Sequence, residues 1–586
     1  MAAHNTTPTE RILNLVDTID AAFHTHASSH HIPGVAYGIV TGGQLIYIKS
    51  FGLRNTDDNT PVNNDTVFRI ASMSKSFTAA AILQLRDKGL VQLDAPMQRY
   101  VPELAKLQYP TQDSAPITVR QLLSMSAGFP QDDPWADRQL YRDDASLTAI
   151  YQQDITFSSP PSTGFEYSNL GYMILGRIIT NVSGQPYINY INEHLLQPLG
   201  MNSTGWNAHD FPAARVAQGY QWLDDGWVEE VLLPSGGDVA AFAGIFTTVN
   251  DLAIWVNWFL DAYPPRDDDV QGPLSRSSRR EMQQIWQPAS PEVIQSELGA
   301  PPKLSSNGYG YGLSIGRDGE HEIVRHGGGL PGFGSYMCWS PAHDTGVIAL
   351  GNVTYAGYSR VGDKLLIDLI KKATLTPVNE AYRFVPNPTL IEAQAQVNHL
   401  LQAWDDAIAD TLFADNFFLD RDRTHWQQDL AKLQADHGTL TQQGELQPEN
   451  WLRGEWRMVG THGFCDVWIS LSPTIPPLVQ EMEITSTLPL SEAMQAAADK
   501  LAVLTKRPTL RALDRIRSRD TNRLQLWDRV RLANLLCGPC VVQDVLAGDG
   551  TSESTVRFVG TKRNTKVKLT LNQRGKLTDF RFLPDA

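Results

Sequence analysis

FRIASMSKSFTAAAILQL, residues 68–85, holds a serine and a lysine three positions apart, at the mouth of an apolar run. Phe77, Ala81 and Leu85 recur at helical spacing, and Lys88-Gly89 supplies a stop, so the spacing predicts a helix from Ser72 to about Leu90. Positions i and i+3 share a helix face, which brings the Ser72 hydroxyl and the Lys75 amine within hydrogen-bonding reach as a nucleophile and a base. A serine at a helix start also has its backbone N–H unused and the positive end of the macrodipole nearby, both useful to a developing oxyanion. Alone, S-x-x-K is expected by chance about once in a chain of this length, so the case depends on what accompanies it.

Two further elements do. Tyr167-Ser168-Asn169 sits in PSTGFEYSNLGYMILGRII (161–179), where a Pro/Gly loop gives way to an apolar helix. A tyrosine close to an ammonium can ionise or share a proton, and the asparagine can orient a lysine and a substrate amide; a packed tyrosine and a capping asparagine are the plainer alternative. His326-Gly327-Gly328-Gly329 follows the β-like run EIVRH (322–326). Here His326 would border a substrate, Gly328 would let its backbone lie against a strand edge, and the Gly329 N–H would join that of Ser72 as an oxyanion donor. A Gly-rich turn is the other reading, and Gly327-x-Gly329-x-x-Gly332 is taken as a turn, not a dinucleotide loop, because Pro331 denies the required helix N-terminus.

Working outward, residues 10–24 read as an amphipathic helix, and GVAYGIV (34–40) and QLIYIKSFG (44–52) as a hairpin turning at Gly42-Gly43. A second group of strands runs from about Gly308 to Gly351, with helical segments between the groups. The expected fold is therefore α+β: an antiparallel sheet flanked by helices, with a mostly helical subdomain. Beyond it, Arg457-Met458-Val459-Gly460-Thr461 recurs as Arg557-Phe558-Val559-Gly560-Thr561, 100 residues on. The expected division is a hydrolase domain (1–375), a Pro-rich linker (376–389) and two small α+β modules (390–489 and 490–586), which resemble the NTF2-like or cystatin-like class.

In order and spacing, S-x-x-K, Y-x-N and H-x-G together match one signature. With ITVRQLLSMSAGF (117–129), FTTVNDLAIWVNWF (246–259) and RHGGGLPGFGSYMCW (325–339), the sequence resembles the class C β-lactamase and D,D-peptidase superfamily over about residues 10–375, in particular its H-x-G branch of esterases and D-aminopeptidases. The resemblance implies an acyl-enzyme on Ser72, Lys75 and Tyr167 as coupled base and acid, Asn169 contacting substrate, and backbone amides of Ser72 and Gly329 as oxyanion hole. His326 replaces the lysine of typical β-lactamases, which favours peptides, amides or esters over β-lactams. A weakly catalytic penicillin-binding or sensor protein, or a β-lactamase, is the alternative. The polar stretch QDDPWADRQLYRDDAS (131–146) lies between the first two motifs, as a cleft neighbour or a solvated loop.

Composition sets the remaining limits. A net charge of −15 argues against nucleic acid as partner. No run approaches 18 apolar residues, and MAAHNTTPTERILNL lacks a signal-peptide layout, so a cytoplasmic protein is expected, or a periplasmic or secreted one if a leader has been removed. Neither cofactor nor metal is expected: His321-Glu322 and His326 are one residue too far apart for a helical zinc motif. Cys537-Gly538-Pro539-Cys540 reads as the turn between a module's helix and its first strand, and not as a redox centre.

Overall fold

The computed structural model describes residues 6–153, 155–269, 272–289, 292–294, 303–318, 321–375, 377 and 386–585. The chain forms two compact units, Met1–Tyr382 and Arg383–Ala586. Most of the span expected as a linker, residues 376 and 378–385, lies outside the described residues.

The first unit is a mixed α+β structure around one antiparallel sheet. Its main strands are β1 (Gly34–Thr41), β2 (Gln44–Asn55), β3 (Lys303–Tyr309), β4 (Ser314–Asp318), β5 (His321–Leu330), β6 (Phe333–Ser340) and β7 (Thr345–Gly351). They lie side by side as β2-β1-β7-β6-β5-β4-β3, so the opening hairpin joins the late strands through β1 against β7. Strand β1 is buried along its whole length, which explains its nearly unbroken apolar sequence. Alternate side chains of the sheet feed two cores. Ala36, Met337 and Ile348 face helices α2 (Ser74–Asp87), α3 (Asn169–Ser183) and α4 (Val249–Leu260). Tyr37, Cys338 and Val347 face α1 (Val16–Ser29) and α5 (Ser359–Lys372).

Three details differ from the sequence reading. The first predicted helix breaks at Asn14-Leu15 into Pro8–Leu13 and α1. The serine motif begins as a 3-10 turn, Ala71–Met73, and becomes α-helical only at Ser74. The glycine run belongs to β5, paired with β6 through Leu330, so the turn is confined to Pro331-Gly332, where Gly332 has φ +87°. On its other side β5 pairs with β4 only as far as Arg325 opposite Ser314. Among the described residues no strand covers that side of 326–330, and this edge is open.

In the second unit each half carries a long helix, a shorter helix, a second long helix and four strands, and the first half adds a one-turn helix, Phe417–Asp420. The long helices are α6 (Pro388–Gln402) and α7 (Arg423–His437) in the first half, α8 (Glu492–Lys506) and α9 (Arg523–Cys537) in the second. Each half has its own core, around Trp456 and Val467 or Phe558 and Val567. The eight strands nevertheless form one sheet, joined by a single parallel pairing, Thr487 beside Gly548. Gly538, at φ +73°, ends α9 one residue before Pro539 and Cys540, so the CGPC tetrapeptide is a helix-to-strand turn.

Candidate active site

The serine turn is held from three sides. Ile70 donates its N–H to the Ile245 carbonyl (3.0 Å), Ser335 Oγ donates to the Ile70 carbonyl (2.7 Å), and Ser74 Oγ donates to the Ala71 carbonyl (2.7 Å). These contacts fix Ala71 at φ +50°, a conformation that costs a residue with a Cβ roughly 1–3 kcal/mol. Ser72 emerges half-buried from this turn, while every residue from Met73 to Leu85 is buried.

Lys75 follows on α2 and is fully buried. Its ammonium has three donors and uses all of them: Ser72 Oγ at 3.0 Å, Asn169 Oδ1 at 2.6 Å and the Phe242 carbonyl at 3.1 Å. The Tyr167 ring centroid lies 4.8 Å from Nζ. Burial brings the Lys75 pKa down to about 7, against the opposing pull of Asp133, Asp132 and Asp137. The Tyr167 hydroxyl is hydrogen bonded to Ser72, and burial raises its pKa well above the ordinary value, so at neutral pH it is a phenol.

Asn169 is fixed from both ends. While its oxygen accepts from Lys75, its amide nitrogen donates to Asp133 Oδ1 (2.9 Å). Asp132 accepts the N–H groups of Asn169 (2.7 Å) and Leu170 (2.9 Å), serving as the anionic cap of α3. Asp137, with its pKa raised by burial to about 6, accepts from the Tyr355 hydroxyl. The polar stretch 131–146 thus contributes carboxylates to the site, and these were not singled out from sequence. Nor were Tyr309 and Tyr355. The doubled acid Asp132-Asp133 beside a proline was the one available signal.

His326 is buried on β5. Its Nδ1 lies 2.6 Å from the Gly327 carbonyl and its Nε2 2.9 Å from the Tyr309 hydroxyl. A carbonyl only accepts, which assigns the proton to Nδ1 and leaves Nε2 to accept from Tyr309. Burial and the nearby Lys75 charge depress the His326 pKa to about 3, so the ring is neutral. The glycines beside it serve close approach. A Cβ on Gly328 would lie 2.1 Å from the Ile70 carbonyl oxygen and 2.3 Å from Ser335 Oγ, and one on Gly329 would strike the Tyr355 ring. Ser72, Lys75, Tyr167, Asn169 and the His326–Gly329 strand therefore converge in one place. His321 and Glu322 sit on the same strand, not on a helix, and no group of three metal-binding side chains occurs among the described residues. No helix among them is long and apolar enough to cross a membrane.

The chain is 30% identical over 339 residues to "Protein flp" of Staphylococcus aureus (strain MW2), covering 57% of this chain and 62% of that protein. It therefore spans about three-fifths of the length of the curated relatives it matches first. It is 26% identical over 333 residues to "D-alanyl-D-alanine-carboxypeptidase/endopeptidase AmpH" of Escherichia coli (strain K12), covering 54% of this chain and 78% of that one. Among solved structures, the octameric penicillin-binding protein homologue from Pyrococcus abyssi shares the fold at 18% identity, with a TM-score of 0.50 over 97% of this chain and 98% of that one. The family described as Beta-lactamase matches residues 19–372, the stretch containing all three motifs and the sheet that assembles them, and the chain belongs to that family.

Proposed function

We propose that this chain is a serine hydrolase that cleaves amide or ester bonds through an acyl-enzyme on Ser72, acting on small substrates that carry a free amine, such as D-aminoacyl amides and peptides. The neutral fraction of Lys75, set by its pKa of about 7, takes the Ser72 proton as the hydroxyl attacks the substrate carbonyl. Tyr167, still a phenol, donates a proton to the leaving group. A water then replaces the leaving group and the same two residues reverse their roles to release the acid. The amides of Ser72 and Gly329 are assigned to the oxyanion. Asn169 orients Lys75 and Gly328 lines the substrate path, while His326 stabilises the strand through Tyr309.

The charge balance around Lys75 carries the choice of substrate. A carboxylate-bearing substrate would need a cation. His326 is neutral, Arg69 is turned to the Leu233 carbonyl and Ser235, and Arg325 is paired with Asp363. Asp133 and Asp137 instead make the surroundings of the nucleophile negative. A substrate ammonium is favoured there and a carboxylate opposed. The name of the Escherichia coli relative, a D-alanyl-D-alanine-carboxypeptidase/endopeptidase, supports D-configured residues in the substrate, while the carboxylate-ended peptide that a carboxypeptidase takes is the competing class that the kinetic series includes.

Two measurements test this. Intact mass after fluorophosphonate treatment should show one adduct, lost in Ser72→Ala; an adduct retained in that variant removes the assigned nucleophile. kcat/KM should fall in the order D-alanine p-nitroanilide, its N-acetyl derivative, an N-acyl-D-Ala-D-Ala peptide. A preference for the acylated or carboxylate-ended substrate overturns the amine assignment.

A further inference from the structure

The repeat in the second unit provides an internal comparison. Helices α7 and α9 have equal length, an offset of 100 residues and nearly the same alternation of buried and exposed positions. In α7 the exposed positions 432, 435 and 436 are Lys, Ala and Asp; in α9 they are Leu532, Leu535 and Leu536, left 55%, 66% and 56% exposed. Leucines at positions that a sister copy keeps small or charged form a patch that neither helix formation nor core packing requires.

The ends of the two helices differ in the same sense. In the first copy His437 is fully buried, with Nε2 2.8 Å from Ser486 Oγ, and Phe464 lies under the Arg457 guanidinium at 3.9 Å. The second copy has Cys537 and Asn564 at the matching positions, both smaller. Between α9 and the last strand (Leu577–Pro584) lies a cavity of about 470 Å³, within the roughly 300–1,000 Å³ usual for small-molecule sites. Leu532, Leu536 and Phe582 give it apolar walls, and Arg529, Arg563 and Arg581 border it. One carboxylate, Asp579, serves both Arg529 and Arg581. Arg563 meets no carboxylate among the described residues, although its charge reaches Cys537 inside the groove. A cationic rim around an apolar groove, in a chain of net charge −15, is complementary to an anion with an apolar body.

We propose that this groove binds an amphiphilic anion, a hydrocarbon chain ending in a carboxylate. Titration of the full chain with sodium dodecanoate, below its micelle concentration, should show one saturable site by calorimetry. Arg563→Glu and Leu536→Asp, both exposed and outside the hydrolytic unit, should each weaken binding by about tenfold or more while ester hydrolysis is unchanged. The double change Cys537→His with Asn564→Phe, which transplants the first copy's side chains, should close the groove and abolish binding with the melting temperature retained. Dodecanol should bind far more weakly than dodecanoate. No saturable binding, binding insensitive to all three variants, or equal binding of dodecanol overturns the proposal. So does self-association that Leu536→Asp abolishes, because the leucine face would then be a contact between copies.

Discussion

A lysine with a pKa of about 7 divides into ammonium and amine near neutrality, so kcat/KM should climb along an acid limb centred near pH 7 and level off above it. The Asp133 carboxylate favours the ammonium and so holds this pKa up. Asp133→Asn, which keeps an acceptor for Asn169, should therefore move the limb to lower pH by roughly one unit. The pH profile of kcat/KM decides; a limb that stays put or moves upward removes Asp133 from the electrostatics of the site. At this scale the sequence was most informative where chemistry needs short spacing, as in Ser72 and Lys75. It was silent on Tyr309 and Tyr355 and offered for Asp133 only the doubled acid before Pro134, because their partners are 17, 218 and 36 residues away and no local pattern marks such a pairing. It also left open whether Tyr167 ionises, a matter settled by burial.

Among the elements, β5 and the serine turn are positioned by contact of main chain with main chain. Gly328→Ala would drive a methyl group into the Ile70 carbonyl, an atom that cannot swing aside, and either the strand or the turn must shift. The expected result is a loss of roughly 1–3 kcal/mol in stability together with a fall in kcat of about 100-fold. Thermal melts and steady-state kinetics measure the two, and a variant with unaltered kcat would show that the strand and Ser72 are not held in register this way. Strands such as β1 and β6 were legible from apolar runs bounded by turn residues. The end of β5 was not: glycines score poorly as strand formers, yet pairing with β6 carries the strand through them. The 3-10 start of the serine motif was equally hidden, since it depends on hydrogen bonds from Ser335 and Ile245 that arrive from distant segments.

At the scale of the molecule, the first unit encloses both cores of its sheet, so residues 1–382 alone should fold cooperatively and still be acylated at Ser72. The full chain should unfold in more than one calorimetric step, because each of the two units has hydrophobic cores of its own; a single two-state transition would contradict this. The 100-residue repeat could be read from Arg457–Thr461 and Arg557–Thr561, whereas the fusion of its halves into one sheet rests on a short contact at strand ends, Thr487 and Leu488 against Leu546 and Gly548, that no local sequence pattern marks. The uncovered side of 326–330 has a consequence of its own. Unpaired backbone beside a sheet invites another chain to add on, the first step of aggregation. Here the inviting segment is mostly glycine, so an intruding strand would gain main-chain bonds without side-chain packing to keep it there. Main chain can thus stay exposed in water for a short guest while offering little hold to a long one.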